Sequence, residues 1–235
     1  MKETTLLGEK INYTVRKSER ATIPRVDVSI RGIRVVLPEG VEEDPENLLQ
    51  KKAVQVVKSK KEFDDYKDKI PERRFEEGET FPLLGEDHEL VVSSETEDNK
   101  IENGRMVLSA QNLKDSSIKE ELENLYKKKA REIIEDILED YQYLNVDYNK
   151  IKLKNQKTRW ASCSSLKNLN FNWRIVMAPK EIIEYIVVHE LVHLEEKGHS
   201  KKFWSKVASI LPDYKERVKW LEEHSPKMVF SEEDY

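Results

Sequence analysis

The sequence predicts an α+β protein: a mainly antiparallel N-terminal β region with one helix, then a helical core that carries a short β-sheet. Three observations predict it. Apolar residues alternate with polar ones in the first half, as in Val26, Val28 and Ile30. From Ser117 the apolar period becomes helical. Two short apolar runs, 151–154 and 169–173, then precede three closing helices. The expected divisions are a β-rich region over 1–112, a core over 113–224, and a disordered tail over 225–235.

In "RVDVSIRGIRVVLPEG" Gly32 breaks the alternation, and Ile33, Val35 and Leu37 resume it. Asp44 is a good N-cap and Pro45 fits the first helical position, so a helix begins there. Leu49, Ala53, Val56 and Val57 give it a buried stripe. A second β pair is expected near 80–92 and 105–110, with a mobile polar loop, "SSETEDNKIENG", between. His88 lies in the first of these strands and reads as structural. Ser117 and Glu120 form a capping box, and Ile118, Leu122, Leu125, Ile133 and Ile137 follow at helical spacing. The closing helices are expected near 180–196, 201–211 and 214–223. Gly198 would stop the first, and Asp213 with Glu216 would cap the last. No internal repeat and no low-complexity segment is evident.

The chain has 235 residues, enough for a real core, and 37% of them are charged. No apolar run approaches the ~20 residues that span a bilayer, so no membrane partner is expected. The N-terminus lacks the apolar stretch of a signal peptide. The single cysteine excludes an internal disulfide and suits a cytoplasmic setting. The net charge of −5 is unevenly spread. Residues 151–220 hold 14 Lys/Arg against 7 Asp/Glu, a local excess that would suit an anionic substrate.

That basic segment contains "YIVVHELVHLEEKGHS", with three of the chain's five histidines. The helix it predicts is apolar all round except for His189, Glu190 and His193, and an all-apolar helix is buried. Polar side chains there need partners. His189 and His193 are four apart, on one face, where two imidazoles can share one tetrahedral cation. Glu190 between them is the general base of the H-E-x-x-H arrangement. His199, six residues beyond His193 and just after Gly198, is the favoured third ligand. Glu195, Glu196 and His224 are its rivals. Cys163 is a further soft ligand candidate. The expected cofactor is one divalent ion per chain, zinc by donor type.

Several stretches resemble the YgjP-like metallopeptidase family, a group of zincin-type metal-dependent hydrolases related to SprT-like domains. They are "RWASCSS" (159–165), "LNFNWRIVMAP" (169–179), "YIVVHELVHL" (185–194), "HSKKFW" (199–204) and "LPDYKERVKWL" (211–221). "YTVRKSERA" (13–21) and "FPLLGEDHELVV" (81–92) fit more loosely. The resemblance implies a zincin-like catalytic core behind the β region, with His189, His193 and His199 as ligands. Ala161 stands where the family usually has glycine, and the loop 93–104 is unusually acidic.

The expected function is therefore a zinc-dependent hydrolase, a metallopeptidase acting on peptide or protein. The resemblance also offers metal-dependent hydrolysis of a nucleoside triphosphate such as UTP, although no Gly-rich phosphate loop is present. A third reading is a non-catalytic, metal-stapled binding module. No nucleic-acid partner is expected, since the chain is acidic and has no zinc ribbon. Arg159, Asn172 and Arg174 are the expected substrate contacts. The last two lie on the strand before the metal helix, whose edge is expected to pair with an extended peptide.

Overall fold

The computed structural model describes residues 1–234. Residues 1–70 and 71–234 form two compact units. The fold class is α+β, with six α-helices and three small sheets among the described residues. None of those helices is long and apolar enough to cross a membrane.

The first unit holds strands β1 (Lys2–Leu6), β2 (Glu9–Ser18), β3 (Arg25–Ser29) and β4 (Gly32–Pro38), then helices α1 (Pro45–Lys51) and α2 (Ala53–Lys67). The sheet runs β1-β2-β4-β3, with a parallel pair β2/β4 at its centre and antiparallel pairs outside. Asp44 caps α1 by accepting from the Glu46 amide, with Pro45 opening the helix as expected. Leu6, Ile11, Val35, Leu49 and Val56 form the core of this unit.

The second unit begins with the same plan. Strands β5 (Thr80–Leu83), β6 (Glu86–Ser93), β7 (Lys100–Glu102) and β8 (Arg105–Ser109) are ordered β5-β6-β8-β7. Again the central pair, β6/β8, is parallel and the outer pairs are antiparallel. Helix α3 (Ile118–Asp140) follows, and its Ser117–Glu120 capping box is present in full.

The likeness extends to the residues. "LLGE" occurs at 6–9 and at 83–86, each time as a two-residue turn between antiparallel strands. Both turn residues have positive φ in each copy: 49° and 88° at Leu7 and Gly8, 52° and 85° at Leu84 and Gly85. That is the mirror-image turn whose twist matches a hairpin, and glycine relieves its second position. Inward-facing Leu6 and Tyr13 correspond to Leu83 and Leu90. The expectation of no internal repeat is thus corrected: a four-stranded sheet of one topology occurs twice, followed by two helices in the first copy and by one α-helix, α3, in the second.

One expected boundary moves, and one expected loop is ordered. The second sheet was expected to belong with the first, up to residue 112. Instead Phe81, Leu83, Leu90, Met106 and Leu108 share one core with α3 and the segment from 169 to 230. The packing boundary is therefore at 70/71. The loop expected to be mobile contains β7 and is tied down by Asn99, whose Oδ1 accepts from the Ser109 amide at 2.9 Å.

The tail is ordered over 225–234, and Tyr235 lies outside the described residues. Met228 and Phe230 are in the core. The Asp234 carboxylate accepts from the Phe230 and Ser231 amides at 2.8 and 2.9 Å.

Candidate metal centre

The rest of the second unit builds the site. Strands β9 (Lys150–Lys154), β10 (Ala161–Cys163) and β11 (Asn168–Asn172) form a sheet in the order β10-β11-β9. A short 3-10 segment, Trp173–Met177, leads to helix α4 (Lys180–His193), followed by α5 (Lys201–Ile210) and α6 (Tyr214–His224). The turn Leu84–Gly85 docks on this lead-in: its two amides donate to the Val176 and Met177 carbonyls at 2.8 and 3.1 Å.

Helix α4 is buried along almost its whole length, from Ile182 to Val192. It ends at His193, earlier than the expected 196, and Gly198 has no positive φ. The reversal comes from the turn after Leu194, where the Glu195 and Glu196 amides both donate to the Val192 carbonyl. It brings His199 back over the helix. Ser200 then caps α5 by accepting from the Phe203 amide.

The three Nε2 atoms of His189, His193 and His199 converge. Their separations are 3.1 Å (189–193), 3.2 Å (193–199) and 3.0 Å (189–199). Three nitrogens around one tetrahedral zinc at the usual bond length of about 2.0–2.1 Å would lie about 3.3–3.4 Å apart. His193 Nδ1 lies 2.9 Å from the Glu196 carbonyl, which puts its proton there and turns the Nε2 lone pair to the centre. Lone pairs meeting at such distances repel unless a cation lies between them, so the donor set fits a divalent ion. The Phe203 ring packs against all three imidazoles, with centroids 4.5–4.9 Å away, and fixes their orientation. Burial, and then the neighbouring imidazoles, push His189 down to about 3, so it stays neutral as a ligand must.

Glu190 is 4% exposed, and its Oε2 has no hydrogen-bond partner. Burial pushes its carboxyl up to about 8, opposed by a hydrogen bond from the Cys163 amide and by the charge of Arg159. An unpartnered carboxylate oxygen beside the histidines is costly as structure and useful as a proton acceptor.

Two hollows meet at these residues. One, of about 550 Å³, is lined by Arg159, the strand and turn from Ala161 to Lys167, the three histidines, Glu190 and Lys197. The other, of about 320 Å³, is lined by Trp160, Tyr185, Ile186, Val218, Leu221, Glu222 and Ser225, and shares Arg159, Ala161, His189 and Glu190 with the first.

The strand beside the cleft is β10, whose three residues give no period, and it went unrecognised in the sequence. The expected edge, β11, is central, paired with β10 on one side and β9 on the other. The Trp160 carbonyl and the Ser164 amide bond to β11. By alternation the polar groups of Ala161 and Cys163 face outward. The Cys163 amide goes to Glu190, which leaves the Ala161 amide and both carbonyls toward the cleft.

Of the expected substrate contacts, Arg159 lines both hollows and is exposed. Asn172 and Arg174 line neither and are 1% and 3% exposed. Asn172 Nδ2 donates to the Gln156 carbonyl at 2.7 Å, and Arg174 donates to the same oxygen at 2.9 Å and lies 3.7 Å from Asp234. Asn172 holds the loop before β10, and Arg174 holds that loop and the tail, so the expectation is corrected. The rival ligands are engaged elsewhere: Glu195 pairs with Lys206, Glu196 with Lys202, and His224 stacks on Trp220. The Cys163 thiol is raised by burial and lies outside the convergent nitrogens. Asp213 gives α6 no side-chain cap and pairs with Arg217 instead.

A family model described as YgjP-like, metallopeptidase domain, matches residues 23–224. Among solved structures, the crystal structure of the metallopeptidase zymogen of Pyrococcus abyssi abylysin is 25% identical, covering 41% of this chain and 99% of that one, with a TM-score of 0.36. No curated protein matches.

Proposed function

Because the chain belongs to the YgjP-like metallopeptidase family, we propose that it hydrolyses peptide bonds with one zinc ion held by His189, His193 and His199 and with Glu190 as general base. The observation that carries this reading is the convergence of three Nε2 atoms within 3.2 Å beside a buried, unpartnered carboxylate oxygen. A zinc ion held by these three imidazoles would supply a Lewis acid and would lower the pKa of a bound water to about 7.

The chain's own groups do the rest. Glu190 Oε2 takes a proton from the attacking water and returns it to the leaving nitrogen. The Cys163 amide holds the other side of that carboxylate, so the free oxygen keeps one direction. The outward Ala161 and Cys163 groups would align an extended peptide beside β10, as a strand added to the sheet edge. Arg159, exposed on both hollows, would contact the substrate close to Glu190. The wall formed by Phe203 keeps the imidazoles from turning away.

Glu190→Gln tests the reading. The amide is nearly isosteric but cannot accept the proton, so the variant keeps its metal and loses about 100-fold or more in peptide hydrolysis. Wild-type turnover by this variant would remove Glu190 from the chemistry.

A further inference from the structure

We infer that the cleft selects an extended peptide with acidic side chains on one flank of the scissile bond and a large apolar side chain on the other. This rests on the peptidase reading above and concerns what the same site accepts. The two hollows meet at Glu190 and differ in chemistry. The larger one presents Arg159, Lys167 and Lys197, with Glu190 as its single acid. All three cations are exposed, and among the described residues no ion pair involves them. The neighbouring acids are occupied, since Glu195 and Glu196 pair with Lys206 and Lys202. Lys167 acts on the Cys163 thiol and Arg159 on Glu190, so both charges are felt inside the cleft.

Lys167 also sits in a left-handed turn, φ 56°, between β10 and β11. The smaller hollow offers Trp160, Ile186, Val218 and Leu221 as an apolar wall and, apart from the shared Arg159, no cation; its own charged residue is the acid Glu222. A chain running along β10 crosses from one hollow to the other, because the strand lines the first with Ser162 and Cys163 and both with Ala161. The flanks of such a peptide meet opposite environments.

Binding by Glu190→Gln reads this without turnover. Fluorescein-labelled peptides carry an acidic block on one flank and Leu or Phe on the other, in both orders, with lysine-for-acid and alanine-for-apolar controls. Anisotropy in the metal-loaded variant should show one order bound about tenfold or more tighter than its lysine version. That preference should shrink as salt rises, and Lys167→Glu with Lys197→Glu should reverse it. Equal binding of acidic and basic peptides, or tighter binding of a nucleoside triphosphate than of every peptide, would overturn the inference. The two readings fail separately. If wild type cuts peptides without regard to charge, selectivity falls and hydrolysis stands. If acidic peptides bind as described and none is ever cut, hydrolysis falls and the selective cleft stands.

Discussion

Leu7–Gly8 and Leu84–Gly85 are the same turn in two copies of one module, yet their surroundings differ. Leu7 is 66% exposed, and a Cβ on Gly8 would meet nothing within 4 Å. At Gly85 the same Cβ would lie 2.8 Å from Pro179 Cγ and 3.4 Å from its Cα. Pro179 is the N-cap residue of the helix that carries His189, Glu190 and His193. The second copy therefore uses its turn to hold the start of helix α4, and the first leaves the same turn in the open. Strand order and turn geometry are alike in the two copies, while the partner of the turn differs.

The largest expected effect is at Arg174, which anchors the docked segment from its other end. Arg174→Ala leaves the Asp234 carboxylate buried without its guanidinium, a loss of about 3–5 kcal/mol. All four tryptophans lie between residues 160 and 220, so the fluorescence-detected unfolding of the second unit measures it. Next is Gly85→Ala, where left-handed strain and overlap with Pro179 add to about 2–4 kcal/mol. The same transition should move to lower denaturant, and metal affinity should fall with it. A Gly85→Ala protein as stable as wild type would separate the turn from the helix.

The helix caps sharpen the comparison further. Ser117→Ala removes a reciprocal box and should cost about 1–2 kcal/mol. Asp44→Ala removes one bond and should cost the lesser share, about 0.5–1 kcal/mol. Gly8→Ala falls in the range of the caps: φ is 88°, but space is open, so only backbone strain of about 1 kcal/mol is added. Amide exchange in the first sheet should register that cost. A loss at Gly8 matching the loss at Gly85 would mean that the Pro179 contact contributes nothing.

Much of the candidate metal centre's geometry was legible because its pattern is local. Two histidines at helical spacing with a glutamate between them, on an otherwise apolar helix, specify face and burial together. His199 was legible by its nearness, although the turn that returns it uses no left-handed Gly198. The caps at Asp44 and Ser117 were equally local. What sequence could not show depended on distant partners. Strand β10 has three residues and no period, so the true cleft edge was assigned to its neighbour β11. Asn172 and Arg174 look like free polar side chains until Gln156, Met228 and Asp234 fold onto them. The acidic tail reads as frayed because its anchor, Arg174, lies far upstream. The repeat was hidden because four identical residues, "LLGE", are its clearest mark and its second and third strands differ in length, 10 and 5 residues in one copy against 8 and 3 in the other.

The central claim is that three histidines and one glutamate divide the work of metal binding and proton transfer. Zinc content after dialysis, measured by mass spectrometry for wild type, His199→Ala and Glu190→Gln side by side, tests it most directly. One ion per chain in wild type and Glu190→Gln, with most of it lost from His199→Ala, is the predicted result. Full retention by His199→Ala, or loss of the ion from Glu190→Gln, would contradict it.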